Sequence, residues 1–258
     1  MSLRANNLSV SLGKRVVVDK VNAALTAGRI TAIIGPNGAG KTSLIRALAG
    51  LSKPSAGNVT LNGVPLTDLS TVHRAQQIGY LAQVSQPHWN VTASELVALG
   101  RLQRRSAFAG PSPADDAAVA AALAATNTSH LALRPIDQMS GGEQARVKLA
   151  RVLAGDPDWI LADEPLANLD PPHRRDVLAL FGAAAKNGKG VAIVLHQLSA
   201  AADIADDLII MRDGKIIAAG AKAETLTPEN LRAAFDMDFD VFTRTDRLIV
   251  APGTAPIG

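Results

Sequence analysis

"RITAIIGPNGAGKTSLIRALAG", Arg29 to Gly50, decides the fold of this chain. "RITAII" is a short apolar run of the kind that forms a buried strand. "GPNGAGKT", Gly35 to Thr42, has the spacing G-x-x-x-x-G-K-[ST]. "SLIRALAG" returns to helical periodicity, which predicts a helix from about Lys41 to Ala49. Strand, glycine turn and helix in this order make a phosphate cradle. Glycines let several backbone N–H groups point at one anion, and the helix start adds positive potential. The predicted phosphate-binding set is Gly35, Pro36, Asn37, Gly38, Ala39, Gly40, Lys41, Thr42 and Ser43. Lys41 supplies a point charge to the terminal phosphates, and the Thr42 hydroxyl can ligate Mg²⁺.

Outward from this stretch the pattern is strand, then helix, then strand. "NLSVSL" and "RVVVDKVNAAL" read as strands broken at Gly13 and at Ala27-Gly28, "SAGNVTLNG" as a turn and strand, and "IGYLAQ" as another short strand. From Val91 the chain turns helical. "TASELVALGRL" opens with a capping-box pair, Thr92 and Glu95, "SAFAGPSP" is a loop, and "ADDAAVAAALAAT" is a strong helix former. "DWILADEP", "GVAIVLHQ", "DLIIMRDG" and "KIIAAG" return to strand. A helix start follows at Thr227-Pro228, and "RLIVAP" reads as a last short strand. The 258 residues are 47 % hydrophobic, contain no cysteine and carry a net charge of +3. This fits a globular chain in a reducing compartment, without a disulfide framework or thiolate metal site. The charge is too mild to argue for nucleic acid. No apolar run reaches signal-peptide or membrane-span length, so membrane action would require another chain to do the spanning.

Two acidic residues close an apolar strand in "DWILADEP". Ligands of parallel sheets gather at the carboxyl ends of strands. Asp163 is therefore expected to reach Mg²⁺, and Glu164 to face the γ-phosphate as general base on water. His196 ends "GVAIVLHQ" in the same kind of position and can hold base and water in line. His73, His88, His130 and His173 lack ligand spacing and read as structural.

"MSGGEQARVKLARVLA", from Met139, suggests a second cradle. Ser140 and Glu143 also form a capping box, but a cap does not need Gly141 and Gly142. "GPNGAGKT", "YLAQ", "MSGGEQ", "ILADEP", "ANLD" and "LHQ" stand in the order of an ABC-type ATPase cassette, and the resemblance spans roughly Leu3 to Ala223. It implies an α/β fold: a P-loop NTPase core with a mixed, mostly parallel sheet, an antiparallel β subdomain and an inserted α-helical subdomain. The expected boundaries are 1–84 and 158–224 for the core with its β subdomain, 85–157 for the helical subdomain and 225–258 for a C-terminal extension. It implies ATP and Mg²⁺ as cofactors, with Thr42, Asp163 and Gln83 at the metal. Gln83 resembles the lid glutamine, His196 the switch histidine, and Asp170 the loop that meets its counterpart across a dimer. In this family Ser140 and Gly142 would bind the γ-phosphate of ATP held by the other subunit, with Gly141 and Glu143 completing the signature. One departure stands out: Leu12 occupies about the position where the family usually stacks an aromatic ring on adenine.

A single cassette without a coiled coil, zinc insertion or membrane span resembles a separate-subunit transporter ATPase. The alternative is a soluble cassette serving, for example, iron–sulfur cluster assembly. "ELVALGR" and "LTPENLRAAFDMDFDV" are similar to importers of iron chelates, haem or vitamin B12. The implied partners are a second copy in a homodimer, integral membrane permease subunits and, indirectly, a periplasmic or surface binding protein. The implied location is the cytoplasmic side of the inner membrane, peripheral through the permease. Arg101, Arg104 and Arg105 read as a solvated basic face, with permease or lipid contact as the alternative. Asp236, Asp238 and Asp240 alternate as on a strand.

Overall fold

The computed structural model describes residues 1–83, 91–106, 110–167, 169–245 and 247–253. His88, part of the "SAFAGPSP" loop, the Asn of "LANLD" and the last five residues lie outside them.

The chain opens with β1 (Ser2–Leu12), β2 (Arg15–Thr26) and β3 (Ile30–Ile34), then α1 (Lys41–Leu48), β4 (Ala56–Leu61), β5 (Val64–Pro65), α2 (Thr71–Gln77) and β6 (Ile78–Leu81). A helical stretch follows: α3 (Ala93–Ala98), a 3-10 segment (Leu99–Arg104), α4 (Pro113–Ala125) and α5 (Gly141–Ala154). Next come β7 (Trp159–Asp163), α6 (Pro171–Lys186), β8 (Gly190–Val194), α7 (Leu198–Ile204), β9 (Asp207–Arg212) and β10 (Lys215–Ala221). The chain ends with α8 (Lys222–Thr225), α9 (Pro228–Phe235), β11 (Phe239–Arg244) and β12 (Arg247–Pro252).

The central sheet has the order β10-β9-β3-β8-β7-β6, parallel throughout except for β10. β3, β7 and β8 are buried along their whole length, as a parallel strand covered on both faces must be. An antiparallel sheet, β2-β1-β4-β5, packs with α1 on one face of the central sheet around Leu3, Leu25, Leu44 and Ile209. α6, α7 and α9 cover the other face around Phe181, Val177 and Leu231. Phe181 is fully buried, which contributes about 2–3 kcal/mol of transfer free energy. A third core joins Val97 of α3, Val119 and Leu123 of α4 and Val147 of α5 with Leu131, Ile136 and Met139 from the stretch between α4 and α5, and so gives the helical block its own interior. This is the mixed-sheet fold with β and helical subdomains that the sequence led us to expect.

The helix starts expected at Thr92 and Thr227 are present. Thr92 and Glu95 cap α3 reciprocally, and Thr227 accepts the Asn230 N–H ahead of Pro228. Two readings are corrected. Asp236, Asp238 and Asp240 do not share a strand face: Asp236 ends α9 in a left-handed conformation and pairs with Arg212, Asp238 pairs with Arg232, and only Asp240 lies on β11. Nor do the three arginines form one solvated face: Arg104 is exposed as expected, but Arg101 and Arg105 are not. Arg101 and Arg105 both pair with Asp115, which is 4 % exposed, while Arg104 donates to the Gly155 and Asp156 carbonyls. Periodicity could not reveal this, because their acceptors come from α4 and the end of α5.

Candidate nucleotide site

β3 delivers the chain into the Gly35–Gly40 turn at the carboxyl edge of the central sheet, and α1 leaves from Lys41. Gly40 has φ +96° and lies so close to β2 that a Cβ there would stand 2.3 Å from the Val17 carbonyl oxygen. Only glycine meets both demands. The loop is tied down by the Gly214 N–H donating to the Ala39 carbonyl at 3.1 Å. Lys41 is 5 % exposed, and its Nζ donates to the Gly35 and Pro36 carbonyls at 2.8 Å each. Burial pushes its pKa down, while Glu164 and Asp163 work in the opposite direction.

Sheet order places the acidic pair beside this loop. Thr42 Oγ1 donates to Asp163 Oδ1 at 3.1 Å. Asp163 is 2 % exposed; burial raises its pKa, against hydrogen bonds from Thr42 and Tyr80 that lower it. The hydroxyl and carboxylate are hard oxygen donors of the type Mg²⁺ takes, and their convergence fits such an ion. Among the described residues no cluster of three or more His, Cys, Asp or Glu could hold a metal by itself. A cation here would therefore need oxygens from its phosphate ligand and water, as Mg²⁺ usually does.

Glu164 follows with φ +51°, an uncommon conformation for a non-glycine residue, while its N–H donates to the Val194 carbonyl. Its carboxylate is held between Gln83 Nε2 and His196 Nε2. Gln83 arrives from β6, Glu164 from β7 and His196 from β8, so adjacent strands bring together residues far apart in sequence. Gln83 thus touches the carboxylate directly. Sequence reasoning missed Tyr80, whose hydroxyl donates to Asp163 Oδ2 at 3.3 Å. Nothing in "IGYL" distinguishes that tyrosine from a packing residue.

Ser140 caps α5: its Oγ accepts the Glu143 N–H at 3.3 Å, and its own N–H donates to Glu143 Oε2 at 2.8 Å. The Ser140 N–H holds the Glu143 carboxyl below its usual range. Ser140 and Gly141 are exposed, and a Cβ on Gly141 would meet nothing within 4 Å. Among the described residues no hydrogen bond joins Ser140–Glu143 to the Gly35–Ser43 loop. Gly142 lies beside Leu169, next to Asp170. Asp170 is exposed at the start of α6 and pairs with His173, which lowers its pKa.

A glycine loop with a buried lysine, a threonine on one carboxylate and a second carboxylate between glutamine and histidine meet at one edge of the sheet, the arrangement expected of the nucleotide site of a P-loop ATPase. A family profile described as "ABC transporter" matches residues 18–167. The hemin import ATP-binding protein HmuV of Bordetella avium is 38 % identical over 250 residues, covering 93 % of this chain and 94 % of that one. The ferric enterobactin transport ATP-binding protein FepC of Escherichia coli K12 is 36 % identical over 257 residues, covering 99 % and 94 %. Among solved structures, an ABC transporter in an inward-facing conformation superposes with a TM-score of 0.83 at 26 % identity, covering 97 % and 96 %. The dimeric cassette MJ0796 superposes with a TM-score of 0.75 at 27 % identity, covering 85 % of this chain and 98 % of that one. The chain belongs to the ABC transporter family, and its fold is that of the ABC ATPase cassette. No helix among the described residues is long and apolar enough to cross a membrane.

Proposed function

We propose that this chain is the ATP-binding and ATP-hydrolysing subunit of an importer, working as a homodimer beneath separate integral membrane permease subunits. One observation carries the reading. Lys41, Asp163, Glu164 and His196 converge at one edge of the sheet, while Ser140 and Gly141 stand exposed at a helix start, where Ser140 to Glu143 make no bond to that loop. Two chains joined head to tail would set Ser140 and Gly142 of each against the ATP of the other, with Asp170 at the junction. The names of the relatives support an iron chelate or haem as cargo, within the importer group that also takes vitamin B12. A periplasmic or surface binding protein would act indirectly, and the subunit would lie on the cytoplasmic side of the inner membrane through its permease.

The loop N–H groups and Lys41 hold the phosphates. Thr42 and Asp163, with Gln83 as the third expected ligand, would hold Mg²⁺, which neutralises phosphate charge when bound. Glu164 takes the proton of the attacking water, while Gln83 and His196 fix the plane of its carboxylate. Little covalent work falls to the protein, so positioning dominates. Glu164→Gln keeps the shape and removes the base. It should bind ATP, elute as an ATP-dependent dimer and lose at least about 100-fold in turnover. Near-normal turnover would remove Glu164 from its role, and a persistent monomer with saturating ATP would overturn the pairing.

A further inference from the structure

α5 has Ser140 at one end and the junction with the central sheet at the other. Its 14 residues make a rod of about 21 Å. The last carbonyls of any helix lack partners within it and carry negative potential. Here two arginines of the Leu99–Arg104 segment meet them. Arg101 Nη1 donates to the Ala154 carbonyl at 3.0 Å, and Arg104 donates through Nε to Gly155 at 3.1 Å and through Nη2 to Asp156 at 2.6 Å. The segment lies backbone against backbone on the helix: a Cβ on Gly100 would stand 2.0 Å from the Arg151 carbonyl oxygen.

The same group of residues is tied on every side. Arg101 Nε also binds Asp115 Oδ1 at 2.8 Å, and Asp115 accepts the Ser112 N–H at 3.0 Å at the start of α4. Gln76 of α2 donates to the Gln103 carbonyl at 2.7 Å. Lys189, ahead of β8, donates to Asp156 Oδ1 at 2.6 Å and the Pro157 carbonyl at 2.7 Å. This cluster is one of the places where core and helical block meet, beside the face of α5 that packs on the core through Leu149 and Val152, and it holds the base of the rod whose tip is Ser140. A tilt there moves Ser140, and misplacing a phosphate contact by about 1 Å can cost on the order of 100-fold.

We propose that Arg101 and Arg104 are positioning residues, which anchor the C-terminal end of α5 so that Ser140 meets the partner's γ-phosphate. The proposal rests on the head-to-tail pairing above. It is tested in a Glu164→Gln background by two measurements: ATP affinity of the monomer with a fluorescent ATP analogue, and the ATP-driven dimerisation constant by sedimentation. Arg104→Ala should leave monomer affinity within about twofold and weaken dimerisation by about 10- to 100-fold. Arg104→Lys, which keeps the charge and a hydrogen-bonding ammonium, should recover most of that loss. Arg101→Lys, chosen because Asp115 keeps a charged partner, should also weaken dimerisation. A merely structural role would lower the melting temperature and leave dimerisation unchanged well below it; that result overturns the proposal. So does an equal loss of ATP affinity and dimerisation in the two lysine variants. Failure of the Glu164→Gln parent to dimerise would instead count against the pairing itself.

Discussion

Ser140 has two separable tasks, and Ser140→Asp separates them. In this structure its Oγ accepts the Glu143 N–H, while Glu143 returns a bond to the Ser140 N–H. Ser140→Ala removes only the first bond, so about 0.5–1 kcal/mol of helix stability is lost. For a chain of this size that lowers the melting temperature by about 1–4 °C. Aspartate caps as well as serine and adds a favourable charge at the helix start, so Ser140→Asp should melt near the parent. Its effect on pairing is opposite. A carboxylate about 4 Å from a phosphate charge costs about 4 kcal/mol at an effective dielectric of 20. Dimerisation should weaken by more than about 100-fold, since each 1.4 kcal/mol is a factor of ten. The assay compares thermal melts and ATP-driven dimerisation for both variants in a Glu164→Gln background. If Ser140→Asp pairs as tightly as its parent, Ser140 does not face a phosphate. If it melts below Ser140→Ala, the cap argument is wrong.

Lys41→Ala removes a charge-assisted phosphate contact and should weaken ATP binding by about 10- to 100-fold in a direct titration; unchanged affinity would remove the loop assignment. Purine selectivity should be weak. Leu12 and Val16 at the β1–β2 turn are 62 % and 54 % exposed and offer no ring, and base stacking is worth about 1–3 kcal/mol in nucleic-acid sites. ATP and GTP should therefore bind within about threefold of each other, and an adenine preference above tenfold would refute this.

Much of the fold was legible because its signals are local. The Gly35–Thr42 spacing, the apolar runs ahead of Gly35, Glu164 and His196, and the Thr92 and Thr227 caps each depend on neighbours within a few residues. Local sequence also named the chemistry: a lysine and threonine after a glycine turn, and two carboxylates at a strand end. Strand order was not written there. That β8 lies between β3 and β7, so that His196 reaches Glu164, follows from pairing across long stretches of chain. The same holds for Tyr80 on Asp163 and for the arginines on the end of α5, which periodicity could only read as packing and as surface. A hydrogen bond between distant residues leaves no period in the sequence. The sequence alone named most of the groups expected at the site, Tyr80 being an exception. Tertiary packing decided which of them meet, because contacts between residues far apart in the chain are set by the packing of the whole sheet.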